Sequence, residues 1–189
     1  MPKLSERAEQ MPASPILRLV PYADAAKARG IKVYHLNIGQ PDIETPECAR
    51  EAVREAGAKV VSYSNSAGNL SFREGLVKYY AGVGISLKAS DMIVTNGGSE
   101  AITIALAVCL NPGDEIIIPE PFYANYNGFA EQNGVKVVSV PSDIRSDFAL
   151  PSMEEFEKRI TPRTKAIMVC NPNNPTGYLY TEAEVRQLG

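Results

Sequence analysis

From residue 92 onward, apolar positions come in short runs separated by longer mixed stretches. MIVT (92–95), EIIIP (115–119), VKVVSVP (135–141) and KAIMVC (165–170) are rich in Val and Ile and barely alternate. That pattern suits parallel strands covered on both faces. Between them, SEAITIALAVCL (99–110) and YANYNGFAEQN (123–133) read as helices, stopped by Asn111-Pro112-Gly113 and by Gly134. SMEEFEKRI (152–160) reads as a third, opened by a Ser152/Glu155 capping box. Upstream, Thr45 is placed as an N-cap before Pro46 and opens a helix to about Ala58, and another helix covers about 70–81. TEAEVRQLG (181–189) starts one more, with Thr181 and Glu184 as its capping box; two turns are marginal alone, so the chain reads as a fragment of something longer. The alternation predicts an α/β fold, a three-layer αβα sandwich with a mostly parallel sheet and right-handed crossovers. Residues 1–45 carry one plausible helix and one strand without a βα repeat. They are expected to form an N-terminal arm and part of a small domain, with 46–189 forming the larger layered domain.

Composition narrows the class. The 189 residues are 44% hydrophobic, enough for a sizeable core. A net charge of -3, with both signs mixed along the chain, favours no polyanionic partner, so nucleic acid is not expected. No apolar run approaches the roughly 20 residues that span a bilayer. The opening MPKLSERAEQMP lacks the apolar core of a secretory signal, so a cytoplasmic protein is expected. Cys48, Cys109 and Cys170 are scattered and odd in number, and His35 is the only histidine. Neither a disulfide framework, a metal site nor a His-based triad is implied.

In open α/β sheets, ligands bind beyond the carboxyl ends of the strands. Those ends here carry NGGSE (96–100), EPFY (120–123), PSD (141–143) and NPNNPTG (171–177). Gly97 and Gly98 let a ligand approach the backbone, and helix N–H groups with the Ser99 hydroxyl suit a phosphate; Ser99 acting only as a helix cap is the alternative. Neither G-x-G-x-x-G nor a Walker loop is present, since no Gly precedes Lys88 in GVGISLK (82–88). Tyr123 offers a ring that stacks on a flat heterocycle or simply packs. In NPNNPTG, Pro172 and Pro175 stiffen the chain and push Asn171 and Asn174 toward extended geometry. The Asn174 carboxamide suits a charged ring oxygen, or the segment is a turn built for shape. A phosphate cradle, a ring and a rigid amide describe a site for a flat, phosphorylated, oxygen-bearing heterocycle.

Five ordered motifs then carry a family resemblance: LNIGQPD (36–42), YSNSAGNLSFREGL (63–76), VTNGGSEAI (94–102), PEPFYANY (119–126) and NPNNPTG (171–177). Along nearly all of 15–189 the chain resembles the class I/II pyridoxal-phosphate aminotransferases, the fold type I group that includes aspartate aminotransferase. The resemblance implies pyridoxal 5'-phosphate as cofactor, with Gly97, Gly98, Ser99 and Glu100 on its phosphate. It also implies Tyr123 on the pyridine ring and Asn174 on the phenolic oxygen. Gly39 would lie against the substrate α-carboxylate. Tyr63 would reach the phosphate of a neighbouring subunit in a homodimer with shared sites, or else be a core tyrosine.

The resemblance further implies transamination between an amino acid and a 2-oxo acid, of the aspartate, aromatic or alanine type. Its Schiff-base lysine is expected beyond Gly189, because none of the nine lysines has the required Ser/Thr-rich context. No catalytic residue is therefore named, and the chain alone is expected to be inactive. Strand 92–95 is expected to lack its neighbour and 165–170 to have an open edge. A carbon–sulfur β-lyase or an aminocyclopropane-carboxylate-synthase-like lyase shares these motifs. A non-catalytic aminotransferase-like ligand-binding module is the reading from another class.

Overall fold

The computed structural model describes residues 3–12, 14, 16–57 and 59–189. In order they form α1 (Glu6–Gln10), a 3₁₀ turn (Leu17–Leu19), α2 (Val20–Ala28), α3 (Glu47–Glu55), α4 (Leu70–Ala81) and α5 (Gly97–Cys109). Then come β1 (Glu115–Glu120), α6 (Asn125–Gln132), β2 (Lys136–Pro141), α7 (Met153–Glu157), β3 (Thr164–Ile167) and α8 (Glu182–Leu188). The chain divides into two compact units, one made of the residues up to Lys32 with Gly97–Gly189, the other of Val33–Asn96.

The first unit is built on a parallel sheet of order β2-β1-β3. Side chains alternate along a strand, so β1 feeds two cores. Ile116 and Ile118 pack with Leu106, Leu110, Tyr126, Ala130 and Val135, largely from α5 and α6. Ile117 packs with Val140 and Phe156, joined by Leu150, Met153 and Leu188. Burial of β1 on both faces explains its unbroken apolar run. At the amino end of the sheet Glu115 is only 2% exposed. Its carboxylate accepts from the Thr161 hydroxyl at 2.7 Å and Arg163 Nη2 at 2.9 Å, with Lys136 Nζ at 3.5 Å. The Thr161 bond first, then the Arg163 and Lys136 charges, hold its pKa below the usual carboxylate range despite burial.

The second unit centres on α4. Arg73 donates to the carbonyls of Gly68 (3.3 Å) and Ala89 (2.7 Å), fastening the preceding turn and the following 3₁₀ turn to the helix. Gly68 has φ +90°, and a Cβ there would come within 2.4 Å of Val94 Cγ2.

Several sequence expectations change. Residues 92–95 form no strand, though Met92 is extended; Val94 N–H donates instead to Ala67 O at 3.1 Å. A lone extended segment has no ladder to join. The strand expected within 1–45 is likewise absent among the described residues, where α1, the 3₁₀ turn and α2 are the ordered elements. Pro46 itself occupies the N-cap of α3, not the first helical position, and the helix ends at Glu55. Ala58, its expected end, lies outside the described residues. At α7 the Ser152/Glu155 box does not form. Glu155 instead bonds Lys158 and Arg159 at 2.9 and 2.8 Å, and the helix stops at Glu157. Pro162, which disfavours helical geometry at Thr161, rules out any longer continuation. β3 ends at Ile167, short of the expected Cys170, although the Met168 N–H still donates to Ile117 O at 2.9 Å. The Thr181/Glu184 box forms as expected.

Candidate functional site

The link 110–114 joins the end of α5 to the start of β1, so α5 runs back along the sheet and its N-terminus lies toward the carboxyl end of β1. Ile102 near that N-terminus, Phe122 and Tyr123 after β1, and Met168 after β3 all pack against the Ile116/Ile118 core. Residues in or beside three of the four sequence-selected loops thus share one core, and Asn173 Nδ2 ties the NPNNPTG loop to Pro121 O of the EPFY loop at 3.0 Å. The fourth, PSD, is tied there too: Ser142 donates its N–H and its hydroxyl to Glu120 O, each at 2.7 Å.

Gly97 opens α5 with φ +78°, a backbone region costly for any other residue. A Cβ on Gly97 or Gly98 would meet nothing within 4 Å, so the space over the helix start is open. Gly98 and Ser99 lie in the first turn, where N–H groups have no partner within their own helix. Ser99 is exposed, and its carbonyl accepts the Thr103 hydroxyl at 2.9 Å.

Tyr123 is half-buried and held from two sides. Asn125 Nδ2 donates to its hydroxyl at 2.7 Å, and Tyr126 meets its ring edge-on at 5.5 Å and 89°. Burial, a hydrogen bond with Cys170 and the nearby Tyr123 push the Tyr126 phenol up to about 12. Tyr126 therefore stays neutral under Tyr123 across the physiological range.

The NPNNPTG loop divides its three amides. Asn171 Oδ1 accepts the Tyr180 N–H at 2.9 Å. Asn173 is 8% exposed, and its Nδ2 donates to Pro121 O at 3.0 Å and Thr176 Oγ1 at 2.8 Å. Asn174 is exposed, and its carboxamide bonds no described residue. The sequence pointed at Asn174 and overlooked Asn173, whose partner at Pro121 is 52 positions away in the chain. The Glu120-Pro121, Asn171-Pro172 and Asn174-Pro175 peptides are cis.

Gly39 and Tyr63 belong to the other unit. Gly39 has open space at its Cβ position. Tyr63 is fully exposed and is not a core tyrosine of its unit. No described helix is long and apolar enough to cross a membrane.

A parallel sheet, a glycine-opened helix, an anchored ring and an amide that bonds no described residue define an α/β protein whose loops lie where such sheets hold their ligands. The sequence model of the aminotransferase class I and II family matches residues 31–189, and the chain belongs to that family. It is 35% identical over 187 residues to a probable aspartate/prephenate aminotransferase of Thermus aquaticus, covering 98% of this chain and 49% of that protein. It is 33% identical to an aspartate aminotransferase of Geobacillus stearothermophilus, covering 99% and 48%. Its fold matches the Thermus thermophilus aspartate aminotransferase solved with maleate at TM-score 0.90 and 34% identity, over 100% of this chain and 50% of that one. An alanine aminotransferase of Pyrococcus furiosus matches at 0.88 and 34%, over 98% and 48%. The fold is fold type I, and the chain spans about half the length of the curated relatives it matches.

Proposed function

We propose that the protein is a pyridoxal-phosphate-dependent aminotransferase that moves an amino group between an amino acid of the aspartate, aromatic or alanine type and a 2-oxo acid. Residues 46–189 are the N-terminal part of its cofactor domain, and 1–45 its arm and part of its small domain. The residues present fit the cofactor. An open helix start lined by Gly97 and Gly98 has room for a phosphate, with backbone amides from Gly97 to Glu100 and the Ser99 hydroxyl to hold it. Tyr123 supplies a fixed ring to stack on, and Asn174 an uncommitted donor for a ring oxygen. When bound, pyridoxal phosphate supplies an electron sink for the substrate's α-carbon. The protein's own task at these positions is to fix the ring's plane and stabilise the negative charge on its oxygen.

Gly39 is assigned to the substrate carboxylate through its backbone. Tyr63 is assigned to the phosphate in the partner's site of a cytoplasmic homodimer; its full exposure leaves the hydroxyl available. The observation that carries the reading is the buried Asn173 bridge, which joins the loop of Tyr123 to the loop of Asn174. The test is a panel of amino acids mixed with the whole, cofactor-loaded protein while its visible absorption is followed. Loss of the band with release of the matching 2-oxo acid supports transamination. No response to any amino acid, or release of pyruvate and a thiol from cysteine conjugates, refutes it.

A further inference from the structure

We infer that Asn173 is a positioning residue, one that sets where Asn174 meets the cofactor; the inference rests on the cofactor site proposed above. Among the described residues, Glu115 and Asn173 are the buried polar side chains, and Glu115 lies at the opposite end of β1. Both N–H bonds of the Asn173 amide are used, on Pro121 O and on Thr176 Oγ1. Its main chain is tied as well: the N–H donates to Tyr178 O and the carbonyl accepts from Gly177 N, each at 2.8 Å.

One residue is therefore fixed at four points, one position before Asn174. Pro121, at the far end of the bridge, precedes Tyr123 by two residues. A planar amide nitrogen is suited to this, since its two hydrogens diverge and reach two acceptors at once. Asn174 opens a turn over residues 174–176 that the Gly177 N–H closes onto the Asn173 carbonyl, and of the two neighbouring amides only Asn173 is buried. With Asn173 turned in, Asn174 is turned out, unbonded and exposed. The bridge thus fixes the separation between the stacking ring and the amide donor.

The test uses the whole protein, pyridoxal 5'-phosphate as probe, and the variants Asn173→Asp, Asn173→Ala, Asn174→Ala and the double Asn173→Ala/Asn174→Ala. Each single change is expected to weaken binding by about tenfold or more, and the double to fall within about threefold of Asn174→Ala. An amide donor favours the ionised ring oxygen, so the pH midpoint of the bound cofactor's visible band rises in both Asn173 variants and in Asn174→Ala. Should the Asn173 variants fail to fold, Thr176→Val removes one of the two acceptors of the Asn173 amide, together with the Tyr178 N–H bond at 3.2 Å, and is expected to move the midpoint the same way by less. Wild-type affinity and midpoint in Asn173→Asp or Thr176→Val, beside an impaired Asn174→Ala, overturn the bridge alone. Full additivity in the double variant overturns it too, as a general loss of stability. An Asn174→Ala protein identical to wild type overturns the site itself.

Discussion

The Asn125 carboxamide donates to the Tyr123 hydroxyl at 2.7 Å, fixing the far end of a ring whose edge already abuts Tyr126. If that ring stacks on the cofactor, its plane matters more than its hydroxyl. Tyr123→Ala is expected to weaken pyridoxal phosphate binding roughly tenfold, the scale of a lost aromatic pair. Tyr123→Phe should keep most of the affinity. Asn125→Ala should fall between, and have no effect in the Tyr123→Phe background. Absorbance titration of the whole protein with the cofactor reads all four.

Asn174 is the amide left unbonded, and a charge-assisted bond to a ring oxygen is worth roughly 1.5–3 kcal/mol. Asn174→Ala should therefore weaken cofactor binding roughly 10- to 100-fold without lowering the apo-protein's melting temperature. A melting loss with unchanged affinity would make the residue structural.

Glu115 is buried against Thr161, Arg163 and Lys136, and its pKa is depressed. A depressed carboxyl stabilises the fold above its unfolded value, about 4.3, and that contribution is lost as pH falls through the folded value. Glu115→Gln should thus melt lower than wild type at pH 7, with the gap closing below about pH 4. Calorimetry across pH 3–8 checks the sign; a gap that widens with acid contradicts it.

Gly68 takes φ +90° with no room for a Cβ against Val94. Gly68→Ala combines left-handed strain with overpacking and should cost about 2 kcal/mol or more. Limited proteolysis should then cut preferentially within 33–96 while the sheet unit stays protected.

Much of this was legible from local chemistry. The Val/Ile run at 115–119 became β1, which is buried on both faces and so shows no alternation, and that at 135–141 became the edge strand β2, where only Val140 is fully buried. Leu70–Ala81 and the Thr181/Glu184 box needed only neighbours within a turn or two. What local pattern could not supply was partnership. MIVT (92–95) has the composition of a strand but no strand beside it, and Glu155 could have capped Ser152 but found Lys158 and Arg159. Asn173 escaped for the same reason: beside Asn174 it is chemically identical, and a contact with Pro121 tells them apart.

The most direct measurement is a crystal structure of the whole protein with pyridoxal 5'-phosphate. The expected result places the phosphate on the amides of residues 97–100, the Tyr123 ring face-on to the pyridine, and Asn174 Nδ2 within about 3.2 Å of the ring's phenolic oxygen. A cofactor bound elsewhere, or one that touches neither Tyr123 nor Asn174, would contradict it.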